Sequence, residues 1–279
     1  MDRNKKLELE KFAADIRIGI LDQLGAFGVG HIGGSLSIAD ALAVLYGDVM
    51  KYDPANPTDP NRDKLVMSKG HCGPALYSAL ALKGFFPYEM LKTLNQGGTH
   101  LPSHCDRLKT PGVDMTTGSL GQGSSIALGM ARGDKLKGRS CRTFLICGDG
   151  EINEGQFWEM CMFAGSKKVD NLVIMVDYNR KQLDGTTEEI MDLGDLAAKL
   201  TAFGLDTKNI DGNDIEQLYN SLKETGKNGK PTALVLNTLK GKGIADVENT
   251  YANHSMTVTK ELYEKWTAEV KSHIAGLEE

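Results

Sequence analysis

Three short apolar runs, separated by helix-like segments, dominate the second half of the 279-residue chain. They are TFLIC (143–147), NLVIMVD (171–177) and TALVLNT (232–238). A strand that is apolar on both sides is buried on both sides, and strands that alternate with helices usually form a parallel sheet. The pattern therefore predicts an α/β fold with a mostly parallel sheet that helices cover on both faces.

The first fifty residues are predicted to be helical. Apolar positions at mostly helical spacing predict a helix over 5–26, and a glycine-rich turn at 28–34 ends it. Ser37 is predicted to be the N-cap of a second helix that reaches about residue 50. The other predicted elements are a strand at 64–68, helices at 74–84, 122–137, 154–167, 192–202, 213–226 and 257–277, and loops at 51–63 and 95–118. Since no segment reads as a linker, we expect one domain over 1–279, with a helical N-terminal segment at 5–50.

Charge and composition exclude several classes of function. The net charge is −5, which does not favour nucleic acid or an anionic membrane surface as a partner. No run approaches the ~18 apolar residues of a membrane span, and the charged N-terminus does not resemble a secretory signal. The 5 cysteines are scattered and form no CxxC pair, which indicates reduced thiols and no zinc site. We therefore expect a cytoplasmic protein.

The sequence Gly148-Asp149-Gly150 directly follows the first of the apolar runs, and Asn179 follows the second. In a parallel sheet both would lie at the carboxyl ends of strands, where ligands bind in open α/β folds. Carboxylate and amide oxygens suit Mg²⁺, and a helix that starts near Glu154 would direct its positive end at a phosphate. A GDG alone usually marks only a turn, but strand, GDG, helix, strand and Asn together indicate a site for a metal and a diphosphate.

Most of the histidines lie in glycine-rich or polar turns, namely His31, His71, His100, His104 and His254. Taken singly, each is more often a surface or structural residue than a functional one. Histidine nevertheless transfers protons near neutral pH and binds sugar hydroxyls or phosphates, and loops at strand ends are where catalytic groups gather.

The segment GDGEINEGQFWEMCMFAGSKKVDNLVIMVDYN (148–179) resembles the thiamine-diphosphate motif of transketolases. The resemblance implies thiamine diphosphate as cofactor, with Mg²⁺, or Ca²⁺ or Mn²⁺ in its place. It implies that Asp149, Asn179 and the backbone carbonyl of Lys181 bind this metal. Tyr178 stands where relatives often have Asp or Asn, but that neighbour is not a metal ligand.

Four further segments resemble active-site segments of the same family: GHIGGSLSIAD (30–40), SKGHCGPALY (68–77), GTHLPSHCDRLKTPGVDMTTGSLGQG (98–123) and LKGKGIADVENTYANHS (239–255). They imply four catalytic histidines, His31, His71, His104 and His254. The implied cofactor-binding residues are His71, Gly118, Ser119, Leu120, Gly148, Asp149, Gly150, Glu154 and Asn179. His100 is excluded because relatives often have arginine there, and Ser255 replaces a usual glycine after His254.

Glu154 and Glu159 follow the metal motif. Carboxylates are favourable at a helix start, which is the simplest reason for both. The resemblance implies that they join a carboxylate network between two active sites at a subunit interface.

The resemblance extends from about residue 10 to 260 but covers only the first half of a full-length transketolase. It implies a second chain, whose pyrimidine-binding domain supplies the glutamate that activates the cofactor, in a heterotetramer with cofactor at the interface. The implied activity is transketolase (glycolaldehyde transferase): transfer of a two-carbon ketol unit from a ketose phosphate to an aldose phosphate. Pentose-phosphate intermediates or a specialised sugar are both compatible with the sequence.

Other activities on the same scaffold are alternatives. They are a transfer similar to that of deoxyxylulose-phosphate synthase and the α chain of a 2-oxo acid dehydrogenase; TPGVDMTTGSLGQG and SKGH favour transketolase over the dehydrogenase. A non-enzymatic subunit that binds a diphosphate is a further alternative, which the matched histidines argue against. A dinucleotide-binding Rossmann domain is disfavoured because no GxGxxG opens a βαβ unit.

Overall fold

The computed structural model describes residues 1–277. Its strands are β1 (Val29–Gly30), β2 (Lys64–Met67), β3 (Thr143–Gly148), β4 (Leu172–Tyr178), β5 (Asp206–Asp211), β6 (Thr232–Asn237) and β7 (Met256–Thr257). Strands β2 to β6 form one parallel sheet in the order β2-β3-β4-β6-β5, whereas β1 and β7 pair antiparallel. The predicted parallel sheet is confirmed.

Helices occupy most of the remaining chain. They are α1 (Arg3–Phe27), α2 (Gly33–Ser37), α3 (Ala39–Val44), α4 (Gly73–Leu82), α5 (Gln122–Leu136), α6 (Gly155–Ser166), α7 (Thr187–Met191), α8 (Leu196–Ala202), α9 (Ile215–Lys223), α10 (Ala245–Glu248) and α11 (Lys260–Leu277). A π-helical turn, Leu45–Val49, extends α3, and short 3₁₀ turns lie at Gly70–Cys72, Tyr88–Thr93 and Glu151–Asn153. No helix within residues 1–277 is both long and apolar enough to cross a membrane.

The side chains of β3 show why its sequence is apolar throughout. Phe144 and Ile146 belong to one buried cluster, with residues of α1, α3, α4, α9 and α11. Leu145 and Cys147 point the other way into a second cluster, with residues of α5, α6 and α8. Successive side chains of a strand face opposite sides, so both faces of this sheet are covered, as predicted.

The prediction that Ser37 caps a helix is wrong. The helix α2 begins earlier, at Gly33, and Ser37 is its last residue before a break at Ile38. The early start depends on glycine, because a Cβ at residue 33 would lie only 2.3 Å from the backbone oxygen of Asn253. The Ser37 hydroxyl instead lies 2.7 Å from Asp177 Oδ2.

The sequence does not predict strand β5, because DTKNID has no apolar pattern. The strand lies at the edge of the sheet and pairs only with β6, so its side chains need not be apolar. The helix predicted from residue 192 begins only at Leu196, where Asp195 caps it by accepting a hydrogen bond from the Ala198 N–H at 2.9 Å. The last helix begins at Lys260 rather than 257, because Met256–Thr257 is taken up in pairing with β1.

The carboxyl ends of β2, β3, β4 and β6 lie at one edge of the sheet. The loops that follow these strands carry the SKGH, GDG, Asn179 and LKGKG sequences, respectively. Parallel pairing therefore brings together segments that are far apart in the sequence.

Candidate active site at the carboxyl edge of the sheet

A cavity of about 220 Å³ opens at this edge. Predicted site residues that line it are His71, Leu120, Gly148–Gly150, Asn179, Lys181 and His254. Within the described chain, His31, His104, Gly118, Ser119 and Glu154 are not in its wall, although the two histidines contact its histidine lining. The sequence motifs thus converge on one place.

The three groups predicted to bind a metal lie on two adjacent turns. Asp149 is 2% exposed, and its two oxygens accept hydrogen bonds from the backbone N–H groups of Gly150 at 2.8 Å and Arg180 at 2.5 Å. The Asn179 Oδ1 accepts a hydrogen bond from the Lys181 N–H at 3.1 Å. Arg180, between them, has a φ of 63°, the left-handed conformation that turns the chain sharply toward Asp149.

A metal at these turns would need mixed oxygen ligands. No group of three His, Cys, Asp or Glu side chains among residues 1–277 is arranged to hold a metal ion. Asp149 supplies one carboxylate, and Asn179 and Lys181 supply an amide and a backbone carbonyl oxygen. This donor set suits a hard cation such as Mg²⁺ whose remaining ligands come from phosphate and water.

Burial raises the pKa of Asp149 to about 7, and the nearby negative charge of Asp177 adds to the effect. The ionised carboxylate is therefore disfavoured, because the Lys240 charge and the two backbone hydrogen bonds offset burial only in part. A bound cation would stabilise the ionised form. The environment of Asp149 thus fits a metal ligand.

The sequence reasoning missed Asp177, which is fully buried at the end of β4. Its oxygens accept hydrogen bonds from Lys69, Ser37, Thr238 and the Asn179 amide. Burial alone would raise the pKa of Asp177, but the Lys69 ammonium and these hydrogen bonds hold it below its usual value. An ionised carboxylate only accepts, so the Asn179 amide directs its NH₂ at Asp177, at 2.9 Å, and keeps its oxygen available for a ligand.

Two buried lysines in the cavity wall were also missed. Lys69 and Lys240 are 2% and 3% exposed, although lysine is seldom buried without a partner. Burial opposes the charge on Lys69, but Asp177 outweighs it and raises the pKa of Lys69. Lys240 donates to the Lys181 carbonyl at 3.1 Å, and burial lowers its pKa. Both lie beside glycines in motif loops, a signal that could have identified them as anion-binding candidates.

The four predicted catalytic histidines form one cluster. The ring of His31 lies 5.2, 5.9 and 5.3 Å from the rings of His71, His104 and His254, respectively. His71 lies 5.0 Å from His254 and 6.5 Å from His104. His100 is exposed and its Nδ1 lies 3.1 Å from the Lys109 carbonyl oxygen, outside this group.

The electrostatics of the cluster keep its imidazoles neutral. Burial lowers the pKa of His31 and His71 to about 4 and that of His254 to about 3. Neighbouring rings of the cluster add to the effect at His31 and His254, and Lys69 and Lys240 add to it at His71 and His254. Burial also lowers the pKa of His104. A neutral imidazole has one donor and one acceptor nitrogen, so these rings can bind hydroxyl groups and take up a proton.

The loop 118–120 approaches this cluster closely. Gly118 has a φ of 145°, and a Cβ at this position would lie 3.0 Å from the His104 ring, so only glycine fits there. Ser119 and Leu120 are exposed next to it. The exposed side chain leaves Leu120 available for contact with a ligand or another chain.

Glu154 and Glu159 point to the surface. Both are exposed, and Glu154 stands at the N-cap of α6 without a side-chain cap hydrogen bond. Their predicted place at an interface is therefore compatible with the fold, although the structure brings neither carboxylate into the cavity wall.

Together these groups fit an anionic, metal-bound ligand beside a polar substrate. The cavity wall contains two buried ammonium groups and the close backbone of a glycine turn, both suited to phosphate oxygens. The neutral histidine cluster next to it suits a hydroxyl-rich substrate.

Comparison with known proteins identifies relatives that match nearly the whole chain. The sequence profile of the family described as transketolase, thiamine diphosphate binding domain, matches residues 9–273. The chain is 48% identical over 268 residues to the 6-deoxy-6-sulfo-D-fructose transketolase subunit SqwG of Clostridium sp. (strain MSTE9), covering 96% of this chain and 98% of that one. It is 40% identical to an apulose-4-phosphate transketolase subunit of Phocaeicola vulgatus, covering 89% of each.

A solved structure has the same fold. The crystal structure of transketolase from Campylobacter jejuni superposes with a TM-score of 0.87 at 29% identity, over 97% of this chain. The match covers 43% of that longer chain, so the described fold corresponds to less than half of it.

Proposed function

The chain belongs to the transketolase family, in the domain that binds thiamine diphosphate, and from this premise we propose that it is one subunit of a two-chain transketolase. The observation that carries the proposal is the convergence of four neutral histidines on a cavity that also contains Asp149, Asn179 and two buried lysines. A protein that only bound a diphosphate would have no use for the histidine cluster.

The cavity would hold the diphosphate end of the cofactor. Asp149, Asn179 and the Lys181 carbonyl would bind Mg²⁺, with Ca²⁺ or Mn²⁺ as substitutes. The Lys240 ammonium would neutralise the charge of the phosphate oxygens, and the Gly148–Gly150 backbone would lie close to them. When bound, thiamine diphosphate supplies the electron sink for breaking and forming a carbon–carbon bond, while the protein supplies orientation and proton transfer.

The histidines would act on the sugar. Breaking the ketose carbon–carbon bond requires a hydroxyl proton to be removed, and a neutral imidazole nitrogen of the cluster accepts it. The reverse transfer, from imidazolium to oxygen, serves the addition to the aldose. The lowered pKa values mean that the rings are neutral near pH 7, so each presents one nitrogen that can accept a proton and one N–H that can donate a hydrogen bond to the sugar.

A second chain would complete the active site. The two relatives described above, which match this chain over 98% and 89% of their own length, are named as transketolase subunits. The cavity wall includes Leu120 and Leu183, whose side chains are 41% and 70% exposed, and such apolar groups at a cavity mouth favour coverage by another protein surface. We take this partner to be a pyrimidine-domain chain and the assembly to be a heterotetramer, in which Glu154 and Glu159 lie at an interface.

The donor would be a ketose with a terminal anionic group. The two relatives act, by their names, on a sulfonated fructose and on apulose 4-phosphate. The greater identity to the first favours a sulfonated ketose over the intermediates of the pentose phosphate pathway. All five cysteines are buried free thiols, which supports the cytoplasm as the place of action.

A substrate profile of the reconstituted pair tests the proposed function. The chain and its pyrimidine-domain partner are mixed with thiamine diphosphate, Mg²⁺ and an aldose acceptor, and 6-deoxy-6-sulfofructose, apulose 4-phosphate and xylulose 5-phosphate are compared as donors. We expect two-carbon transfer with the sulfonated ketose to exceed that with the others. Carbon dioxide release from a 2-oxo acid, without ketol transfer, would instead assign the chain to a decarboxylating relative.

The metal assignment has its own test. Asp149→Ala removes the only carboxylate among the proposed metal ligands, so we expect it to abolish Mg²⁺-dependent binding of thiamine diphosphate in calorimetry. Asp170→Asn, at a surface ion pair away from the cavity, is the control and should bind normally. Unchanged affinity in Asp149→Ala would refute the site.

A further inference from the structure

One buried carboxylate joins three of the backbone segments that form the cavity. Glu151 is 4% exposed, in the 3₁₀ turn directly after the GDG sequence. One of its oxygens, Oε1, accepts hydrogen bonds from the Ser68 hydroxyl and from the Gly121 N–H at 2.9 Å. The other oxygen accepts from the Gly148 N–H at 3.1 Å.

Each donor belongs to a different part of the site. Ser68 immediately precedes Lys69 and the turn that carries His71. Gly121 ends the loop 118–120, and Gly148 opens the turn that carries Asp149. A single side chain therefore fixes the separation of three segments that are distant in the sequence.

The packing around Glu151 leaves little freedom for these segments to adjust. A Cβ on Gly123 would lie 2.3 Å from the Ser68 hydroxyl, and one on Gly121 would lie 2.8 Å from the Glu154 Cβ. The start of α5 is thus held close to both the Ser68 turn and the start of α6. A change in the length or polarity of the central side chain must displace at least one wall of the cavity.

We propose that Glu151 is a positioning residue for the cofactor site, and this rests on the proposed function of the cavity. Its carboxylate accepts three hydrogen bonds, which hold the SKGH turn, the 118–120 loop and the GDG turn in the relative positions that bind thiamine diphosphate. Glu151 itself lines the cavity, but both of its carboxylate oxygens already accept hydrogen bonds from the three segments, so it acts by positioning them.

Glu151→Gln is the sharpest variant, because it keeps the length and shape of the side chain. One acceptor oxygen becomes an NH₂ donor, which must then face the Gly148 N–H or the Gly121 N–H, leaving a backbone donor unpaired. One unpaired buried donor typically shifts an equilibrium constant by about tenfold or more. We therefore expect the dissociation constant for thiamine diphosphate with Mg²⁺ to rise at least about tenfold.

Asp63→Asn is the matched control. Asp63 is another buried carboxylate that joins distant segments, since it accepts from the Lys51 N–H at 3.0 Å and the Arg142 N–H at 2.7 Å. It lies before β2, at the opposite end of the sheet strands from the cavity. This variant should lower the melting temperature of the ligand-free chain while leaving its cofactor affinity unchanged.

Calorimetric affinity, the melting temperature and the kinetics of the reconstituted pair decide the question. A positioning role raises the KM for cofactor and lets kcat recover at saturating cofactor, whereas simple loss of folded protein lowers kcat and leaves KM unchanged. Equal affinity in Glu151→Gln and the wild type, or equal weakening in Asp63→Asn, would overturn the inference. All affinities are measured on the reconstituted pair, and if the wild-type pair itself does not bind the cofactor, the proposed function fails first.

Ser68→Ala keeps the proposal testable if Glu151→Gln does not fold. It removes one of the three donors and leaves the carboxylate and both backbone donors in place. We expect a smaller but measurable rise in the cofactor dissociation constant, and an unchanged value would count against the proposal.

Discussion

Replacing Asp177 by Asn should be among the most damaging isosteric changes in the chain. The ion pair of Asp177 with Lys69 is buried, with side-chain exposures of 0% and 3%. An asparagine would have one acceptor oxygen for the four donors that now converge there, and it would leave the Lys69 ammonium without its counter-charge. Breaking a buried ion pair in this way costs about 3–5 kcal/mol.

Urea denaturation of the ligand-free chain measures this cost. The control is Asp170→Asn, because Asp170 forms an ion pair with Lys135 at 2.6 Å whose side chains are about a third exposed, 35% and 31%. Since such exposed pairs contribute under about 1 kcal/mol, the control should change little. A loss below about 1 kcal/mol for Asp177→Asn would refute the argument that the buried pair is essential.

The same variant should also weaken the metal site. Asp177 directs the NH₂ of Asn179 away from the cavity, and with an asparagine at 177 either orientation of the neighbouring amide can be satisfied. Mg²⁺ affinity in the presence of thiamine diphosphate should fall by about 10–100-fold. Unaltered affinity in a folded variant would show that Asn179 does not depend on Asp177 for its orientation.

Three other predictions concern pH, a backbone turn and a close contact. Folding lowers the pKa of His31, His71 and His254 from 6.5 to about 3 or 4. Between these pH values the unfolded chain therefore binds more protons than the folded chain. The neutral histidines thus contribute their full stability above pH 6.5, and this contribution is lost as the pH falls. Asp149, with its raised pKa, acts in the opposite direction, so the test compares His71→Gln with the wild type. We expect acidification to lower the melting temperature of His71→Gln by less than that of the wild type. The same pH dependence in both proteins would contradict this. Arg180→Gly should retain metal binding, because glycine readily adopts the φ of 63° found at this position. Arg180→Pro should lose metal binding, because proline has no N–H to donate to the Asp149 carboxylate. Calorimetry of both variants tests this prediction. Gly33→Ala would place a Cβ 2.3 Å from a carbonyl oxygen and should lower the free energy of unfolding by about 1–3 kcal/mol. Gly129→Ala is the control: its Cβ would have no atom within 4 Å, and it should raise the free energy of unfolding by about 0.5–1 kcal/mol.

The central sheet is predictable from the sequence because burial on both faces leaves a clear signal. Strands β3, β4 and β6 are apolar at nearly every position, and a motif follows each. Strand β5 leaves no such signal, since the side chains of this edge strand are half-buried or exposed and only Ile210 is apolar. The prediction for Ser37 is wrong because small polar residues favour both helix caps and buried contacts, and only the position of Asp177 distinguishes the two.

The histidine cluster could be anticipated from motifs, but the burial of the groups that support it could not. Lys69, Asp177, Lys240 and Glu151 have no periodic pattern, and their burial depends on four loops meeting at one edge. A charged residue beside a glycine in a loop usually indicates solvent exposure. Only the folded structure shows that these four side chains are buried and form hydrogen bonds with neighbouring segments of the site.

The most direct test of the shared active site is ketol transfer by this chain alone and by its mixture with a pyrimidine-domain chain, with thiamine diphosphate and Mg²⁺ present in both. We predict transfer only in the mixture, and its loss when the chain carries Asp149→Ala. Equal transfer by the isolated chain would contradict the shared active site. Transfer by the mixture that survives Asp149→Ala would contradict the cofactor site described for this cavity.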